Sequence, residues 1–253
     1  MLLEETCTKL NQMKLFGMLE SVRKRVDDPA HRDLSPTELI GLIVDDEWLH
    51  RENRKLTMLL KKARFKEKAA CLEDIDYKSD RGLKKADVME LAQNRYIGAK
   101  QSVIITGPAG AGKSYLAQAL GNHACRKGFT VHYVRVPQLA YSFVQAKAEG
   151  SYATLIKRLG RYQLLILDDF GLAPLSETEK QDLLELAEER NGSGATMVTS
   201  QLPLKTWHAY LGAGRVADAL LDRLIHNAHR FTISATQSMR KAKATLTAAE
   251  QSA

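Results

Sequence analysis

Apolar residues recur at helical spacing from the start of the chain: Leu3, Cys7 and Leu10, then Leu15, Met18, Leu19 and Val22. The pattern predicts a helical stretch over residues 2–26, stopped by Asp27-Asp28-Pro29. Ser35-Pro36-Thr37-Glu38 restarts it. Ser35 suits the N-cap, Pro36 the first helical position, and Glu38 completes a capping box. This helix continues through Leu39, Ile40, Leu42, Ile43, Trp48 and Leu49 towards Arg64. A small all-α domain is expected over residues 1–68. Residues 69–100 read as a linker holding one short helix, Lys85 to Leu91, after a break at Arg81-Gly82-Leu83.

From Gln101 the period changes. Val103–Ile105, Thr130–Val136, Leu164–Leu167 and Ala195–Thr199 read as strands. Helical patterns separate them: Ser114–Lys127 before Gly128, Pro137 to about Leu159, and Ser176–Arg190, which opens in capping-box form. Leu164–Leu167 is continuously apolar, as in a sheet buried on both faces. Such alternation predicts an α/β domain over 101–243, a parallel sheet flanked by helices with ligands at the carboxyl ends of its strands. Residues 244–253 are small and polar, and are expected to form a flexible tail.

Composition adds limits. The 253 residues are 44% hydrophobic and 26% charged, with net charge +7. That excess favours a polyanionic partner. Arg51, Arg54, Lys55, Lys61, Lys62 and Arg64, followed by Lys66 and Lys68, face only Glu52 and Glu67 in the same stretch. They are candidate nucleic-acid contacts, competing with the reading of a solvated helix face. No aromatic residues interleave them for base stacking, so backbone contact with little sequence preference is expected. Cys7, Cys71 and Cys125 are far apart and form no C-x-x-C unit. A disulfide framework or zinc site is not expected, and a reducing cytosol is. The start of the chain shows no signal-peptide pattern and no apolar run reaches membrane-span length, so a cytoplasmic protein without a membrane partner is expected.

The strongest chemical signal is Gly107-Pro108-Ala109-Gly110-Ala111-Gly112-Lys113-Ser114. It fits the phosphate-binding pattern G-x-x-x-x-G-K-[ST] between a strand and a helix. Glycines let backbone N–H groups close on phosphate oxygens, and the helix N-terminus adds its dipole. Lys113 can reach the β/γ-phosphates and Ser114 can hold Mg²⁺. Asp168 and Asp169 end the apolar strand that begins at Leu164. Asp168 can support the Mg²⁺ shell, and Asp169 stands where a general base would orient water. Ser200 and Gln201, at the tip of the Ala195–Thr199 strand, are both candidates for touching the γ-phosphate. Arg223 and Arg240 are candidate cations for the transferred phosphate, against a surface or structural reading.

Taken together, GPAGAGKS, LLILDDFG, VTSQLP and LLDRLIHNAH followed by SMR resemble the IstB/DnaC group of AAA+ ATPases, most closely the IstB-type transposition helpers. DLSPTELIGLIVDDEW extends the resemblance into the N-terminal domain. It implies that Lys113 and Ser114 are the Walker A pair and Asp168 and Asp169 the Walker B pair. Gln201 or Ser200 would be sensor 1, Arg223 the arginine finger and Arg240 the sensor 2 arginine. The implied protein is an ATP- and Mg²⁺-dependent homo-oligomer that assembles on double-stranded DNA in the bacterial cytosol or nucleoid and regulates its cognate transposase. A DnaC-like helicase loader and a P-loop kinase for a small molecule are the alternatives. The kinase would not need Arg223 to act on a neighbouring subunit.

Overall fold

The computed structural model describes residues 2–26, 28, 34–77, 82–212 and 214–234. Asp27, Pro29, Arg81 and the tail at 244–253 lie outside them. The chain packs as two units that divide between Met58 and Leu59.

The first unit holds α1 (Leu2–Gln12), α2 (Phe16–Val26) and most of α3 (Pro36–Ala63). The stretch expected as continuous helix over 2–26 is therefore two helices. Lys14 takes φ +59°. The Leu15 N–H donates to the Leu10 carbonyl at 2.9 Å and the Lys14 N–H to Asn11 at 3.0 Å. These two bonds close a helix through a left-handed residue. Leu15 then turns back onto the cluster of Cys7, Leu10 and Val22. The capping box of α3 forms, with the Glu38 N–H on Ser35 Oγ and the Ser35 N–H on Glu38 Oε2.

The second unit is built on five strands: β1 (Ser102–Thr106), β2 (Val131–Arg135), β3 (Leu164–Phe170), β4 (Ala195–Ser200) and β5 (Ala228–Thr232). All pair in parallel, in the order β2-β3-β4-β1-β5. Parallel strands need crossovers, and these cover both faces. On one face α6 (Lys113–Arg126), which links β1 to β2, packs across β2, β3, β4 and β1. On the other, α7 (Val136–Ala148), α8 (Tyr152–Gly160), α9 (Glu177–Arg190), α10 (Trp207–Leu211) and α11 (Arg215–Ile225) bury Phe143, Leu186, Trp207 and Leu220 against Leu165, Leu167 and Val198. The pattern expected as one helix from Pro137 to Leu159 splits at Gly150, which has φ +68°. β5 carried no sequence expectation. It is an edge strand whose His229 and Arg230 are exposed, which erases its apolar signal.

The segment expected as a linker is packed. Phe65, Ala70, Leu72 and Ile75 are buried in the second unit, as are Val88 and Leu91 of α4 (Lys85–Ala92) and Tyr96 and Ile97 of α5 (Arg95–Gly98). The chain thus joins the second unit before residue 68, within α3 itself.

Arg190, at the end of α9, is 2% exposed. Its guanidinium donates to the carbonyls of Leu159 (2.7 Å), Tyr162 (2.9 Å) and Ala195, and to Thr196 Oγ1 (3.0 Å). It ties the end of α8 to the start of β4, and burial lowers its pKa to about 10. Arg190→Ala leaves these acceptors buried and unpaired, so a loss of about 3 kcal/mol is expected. Urea unfolding of the two proteins measures it.

Candidate nucleotide site

The phosphate-type loop is clamped between strand ends. The Gly107 N–H donates to the Ser200 carbonyl of β4 at 3.2 Å, and the Ile233 N–H, just past β5, to the Thr106 carbonyl of β1 at 2.8 Å. Gly107 has φ +154°, and a Cβ there would lie 2.2 Å from the Ile233 oxygen. Only glycine fits this approach. Pro108 and Ala109 form the exposed crest, Gly110 and Gly112 have φ +77° and +90°, and Ala111 is buried. α6 then begins at Lys113 with Gly112 as N-cap and no side-chain cap. Its first N–H groups and its dipole point into the loop, the arrangement that takes an anion. Lys113 is 6% exposed, and its ammonium donates to the Pro108 carbonyl at 2.8 Å.

Asp168 is buried at the end of β3, where three hydroxyls meet its carboxylate. Ser114 Oγ donates to Oδ1 at 2.8 Å, Thr199 Oγ1 of β4 donates to the same oxygen, and Tyr133 Oη of β2 donates to Oδ2 at 2.6 Å. Burial first, and then the Asp168 carboxylate, push the Tyr133 hydroxyl far above the usual tyrosine range, so it remains a proton donor. Ser114 and Asp168 offer hard oxygen ligands side by side, the donor set that suits Mg²⁺ completed by phosphates and water. Among the described residues no group of three or more His, Cys, Asp or Glu side chains could hold a metal ion alone.

Asp169 sits on a bulge. Leu167 pairs with Val198 and Phe170 with Ser200, so β3 carries one residue more than β4 between those pairs. Asp169 absorbs it with φ +60°, a conformation Asp tolerates better than most residues. The bulge turns its side chain out of the sheet alternation that places Asp168. Arg135 Nε, at the end of β2, donates to Asp169 Oδ2 at 2.7 Å, and the Asp169 N–H donates to Thr199 Oγ1 at 3.2 Å.

Lys113, Ser114, Asp168 and Asp169 thus lie at the carboxyl ends of β1 and β3. The two residues at the tip of β4 differ. The Ser200 hydroxyl is buried, donating to the Phe170 carbonyl at 2.6 Å and accepting from the Leu202 N–H at 3.1 Å. It latches the strand end, whereas Gln201 is exposed. Arg223 is on the exposed side of α11, whose Ala217, Leu220 and Leu224 are buried, and it pairs with Asp222 on the same helix at 2.7 Å. Arg240 lies outside the described residues. Arg51, Arg54, Lys55, Lys61 and Lys62 are exposed on α3, and Arg64 is exposed just beyond it. Arg51 pairs with Glu47 at 2.7 Å.

Sequence reasoning passed over Tyr133, Arg135 and Thr199. Tyr133 and Arg135 belong to no motif, and Thr199 lies within VTSQLP without having been given a role. Each reaches the site through strand pairing, Arg135 standing beside Asp168 in the register. The one available signal was position, since each lies at or near the end of an expected strand.

A glycine loop between strand β1 and helix α6, with a carboxylate-tipped strand β3 one strand away across β4, defines a P-loop nucleotide-binding domain of the AAA+ class. DnaA from Aquifex aeolicus in its AMPPCP-bound form has this fold: the match has a TM-score of 0.57 at 21% identity and covers 69% of this chain and 54% of that one. The family model for IstB-like ATP binding protein matches residues 8–247, and the chain belongs to that family. It is 45% identical to the insertion sequence ATP-binding protein y4pL of Sinorhizobium fredii, over 95% of this chain and 98% of that protein. It is 38% identical to the ATP-binding protein of insertion sequence IS1162 from Pseudomonas fluorescens, over 81% and 89%. No helix among the described residues is long and apolar enough to cross a membrane.

Proposed function

We propose that this ATP-binding protein is an ATPase that assembles with copies of itself on duplex DNA and regulates the transposase of its insertion sequence. The observation that carries the reading is the convergence of Lys113, the Ser114–Asp168 pair and Asp169 at the strand ends. The glycine loop and α6 bind the triphosphate, and Lys113 holds its β/γ oxygens. Ser114 and Asp168 would hold Mg²⁺, which would supply positive charge to the phosphate. Asp169 accepts the proton of the attacking water once Arg135 releases it. Arg223, carried on an exposed helix face, reaches the γ-phosphate held by a neighbouring subunit. Gln201, exposed just past β4, is assigned to sensor 1 in preference to the buried Ser200, and Arg240 to sensor 2. A hydrolytic site divided between subunits makes turnover depend on assembly. The helical N-terminal region supplies the docking surface for DNA or partner.

The five exposed cations of α3, with Arg64 just beyond it, and the net charge of +7 support duplex binding through phosphates. Binding is expected to weaken with salt, with a log–log slope of about −5 if all six cations neutralise phosphates. Sequence preference should be slight. Fluorescence anisotropy with labelled duplexes at several salt concentrations, with ATP, ADP and no nucleotide, tests this. A flat salt response, or no duplex binding in any state, contradicts it. Capture of a replicative helicase in preference to the transposase would favour the helicase-loader alternative.

A further inference from the structure

The chain leaving α3 is held by the helix that carries the phosphate loop. Two amide side chains one turn apart on α6 grip two consecutive backbone groups. Gln118 Oε1 accepts from the Glu67 N–H at 2.8 Å, and Asn122 Nδ2 donates to the Lys68 carbonyl at 3.3 Å. The other end of Gln118 donates to the carbonyl of Ser114 at 3.0 Å. Gln118 is 1% exposed, so both ends of its amide are committed. The Cys71 N–H donates to Tyr115 Oη at 3.4 Å.

Phe65 adds an apolar key. It is 6% exposed, and its ring lies 6.5 Å from that of Tyr133, the residue bonded to Asp168. A Cβ at Gly121 of α6 would lie 2.8 Å from Phe65 and 2.8 Å from Ile166 of β3. The glycine within the helix makes room for this ring, although glycine is a poor helix former. Residues 65–71 therefore touch both halves of the Ser114–Asp168 pair: Ser114 through Gln118, and Asp168 through Tyr133. Their other end is the last turn of α3, with Lys61, Lys62 and Arg64 exposed.

We propose that residues 65–71 are a coupling strap, and that Gln118 and Phe65 are positioning residues linking duplex DNA at Lys61, Lys62 and Arg64 to the nucleotide site. This rests on the function proposed above. A polyanion that fixes the end of α3 fixes the strap. The strap sets the first turn of α6 and the ring of Tyr133, and so the spacing of Ser114 and Asp168. The linkage is reciprocal, so bound nucleotide orders the strap and favours DNA by the same factor.

The test is a binding cycle on the full chain with Mg²⁺ and a non-hydrolysable ATP analogue. The analogue is titrated with and without a labelled duplex, and the duplex with and without analogue. In the wild type each ligand should tighten the other by the same factor, about 10-fold. In Gln118→Leu and Phe65→Leu each ligand alone should bind near the wild-type affinity, while the mutual factor falls towards one. Hydrogen exchange of the wild type should show the Glu67 and Cys71 amides slowed by the analogue, a result that needs no variant to fold. Full coupling in both variants, or strap amides indifferent to the analogue, would overturn the strap. A wild type that binds both ligands independently would also overturn it while leaving the proposed function intact. Failure of the wild type to bind duplex in any nucleotide state would overturn that function, and the strap with it.

Discussion

Lys113→Ala should fold and lose ATP binding by more than 100-fold. Lys113 is 6% exposed, so solvent screens its charge little. A unit charge about 4 Å from a phosphate charge contributes about 4 kcal/mol at an effective dielectric of 20, and each 1.4 kcal/mol is tenfold in affinity. The fold has less at stake. The bond from Lys113 to the Pro108 carbonyl stabilises the loop by about 1 kcal/mol. Calorimetric titration with ATP and a urea unfolding curve separate the two effects. A variant that binds ATP within a few-fold of the wild type would remove Lys113 from the phosphate site.

Asp169→Asn should bind ATP within a few-fold of the wild type and hydrolyse it about 10²–10⁴ times more slowly. The substitution is chosen for its backbone. Asp169 has φ +60°, which asparagine also tolerates. The β3 bulge should therefore survive, and its amide oxygen can still accept from Arg135. What disappears is a base able to take a proton from water. Asp169→Ala should lose hydrolysis too, but with a further loss of about 1–2 kcal/mol because alanine is strained in the left-handed region. Single-turnover hydrolysis beside ATP titration and urea unfolding distinguishes these outcomes. An Asn variant that turns over at the wild-type rate would remove Asp169 from the base role.

The parts of the site readable from sequence are those whose chemistry is local. Gly107 to Ser114 form one continuous loop, and their residue types follow from phosphate geometry alone. Asp168 and Asp169 end an apolar run and are visible for that reason. Tyr133, Arg135 and Thr199 are not, because their roles arise from which strands lie side by side, and strand order is not a local property. The same limit hides the strap. Phe65, Glu67 and Lys68 sit in the basic run and read as the close of the N-terminal domain, until Gln118, Asn122 and Gly121 of α6 are placed against them. At the helix ends the missing signal is glycine. Lys14 takes φ +59°, where a glycine would have marked the break between α1 and α2. β5 went unseen because an edge strand with exposed His229 and Arg230 has no apolar stripe. The parallel sheet, by contrast, could be expected from the alternation alone, because consecutive apolar runs such as Leu164–Leu167 need covering helices on both faces.

The proposed hydrolytic site is shared, with Asp169 from one subunit and Arg223 from the next. Mixing two variants tests it most directly. Asp169→Asn keeps Arg223 and offers it to a neighbour, while Arg223→Ala keeps Asp169 and lacks the cation. Each alone should bind ATP and hydrolyse it poorly, with Arg223→Ala reduced about 10³-fold or more. Mixed in equal amounts on duplex DNA, they should recover hydrolysis, because some interfaces then pair an intact Asp169 with an intact Arg223. A mixture no more active than the sum of its parts, with both variants shown to co-assemble, would contradict the shared site.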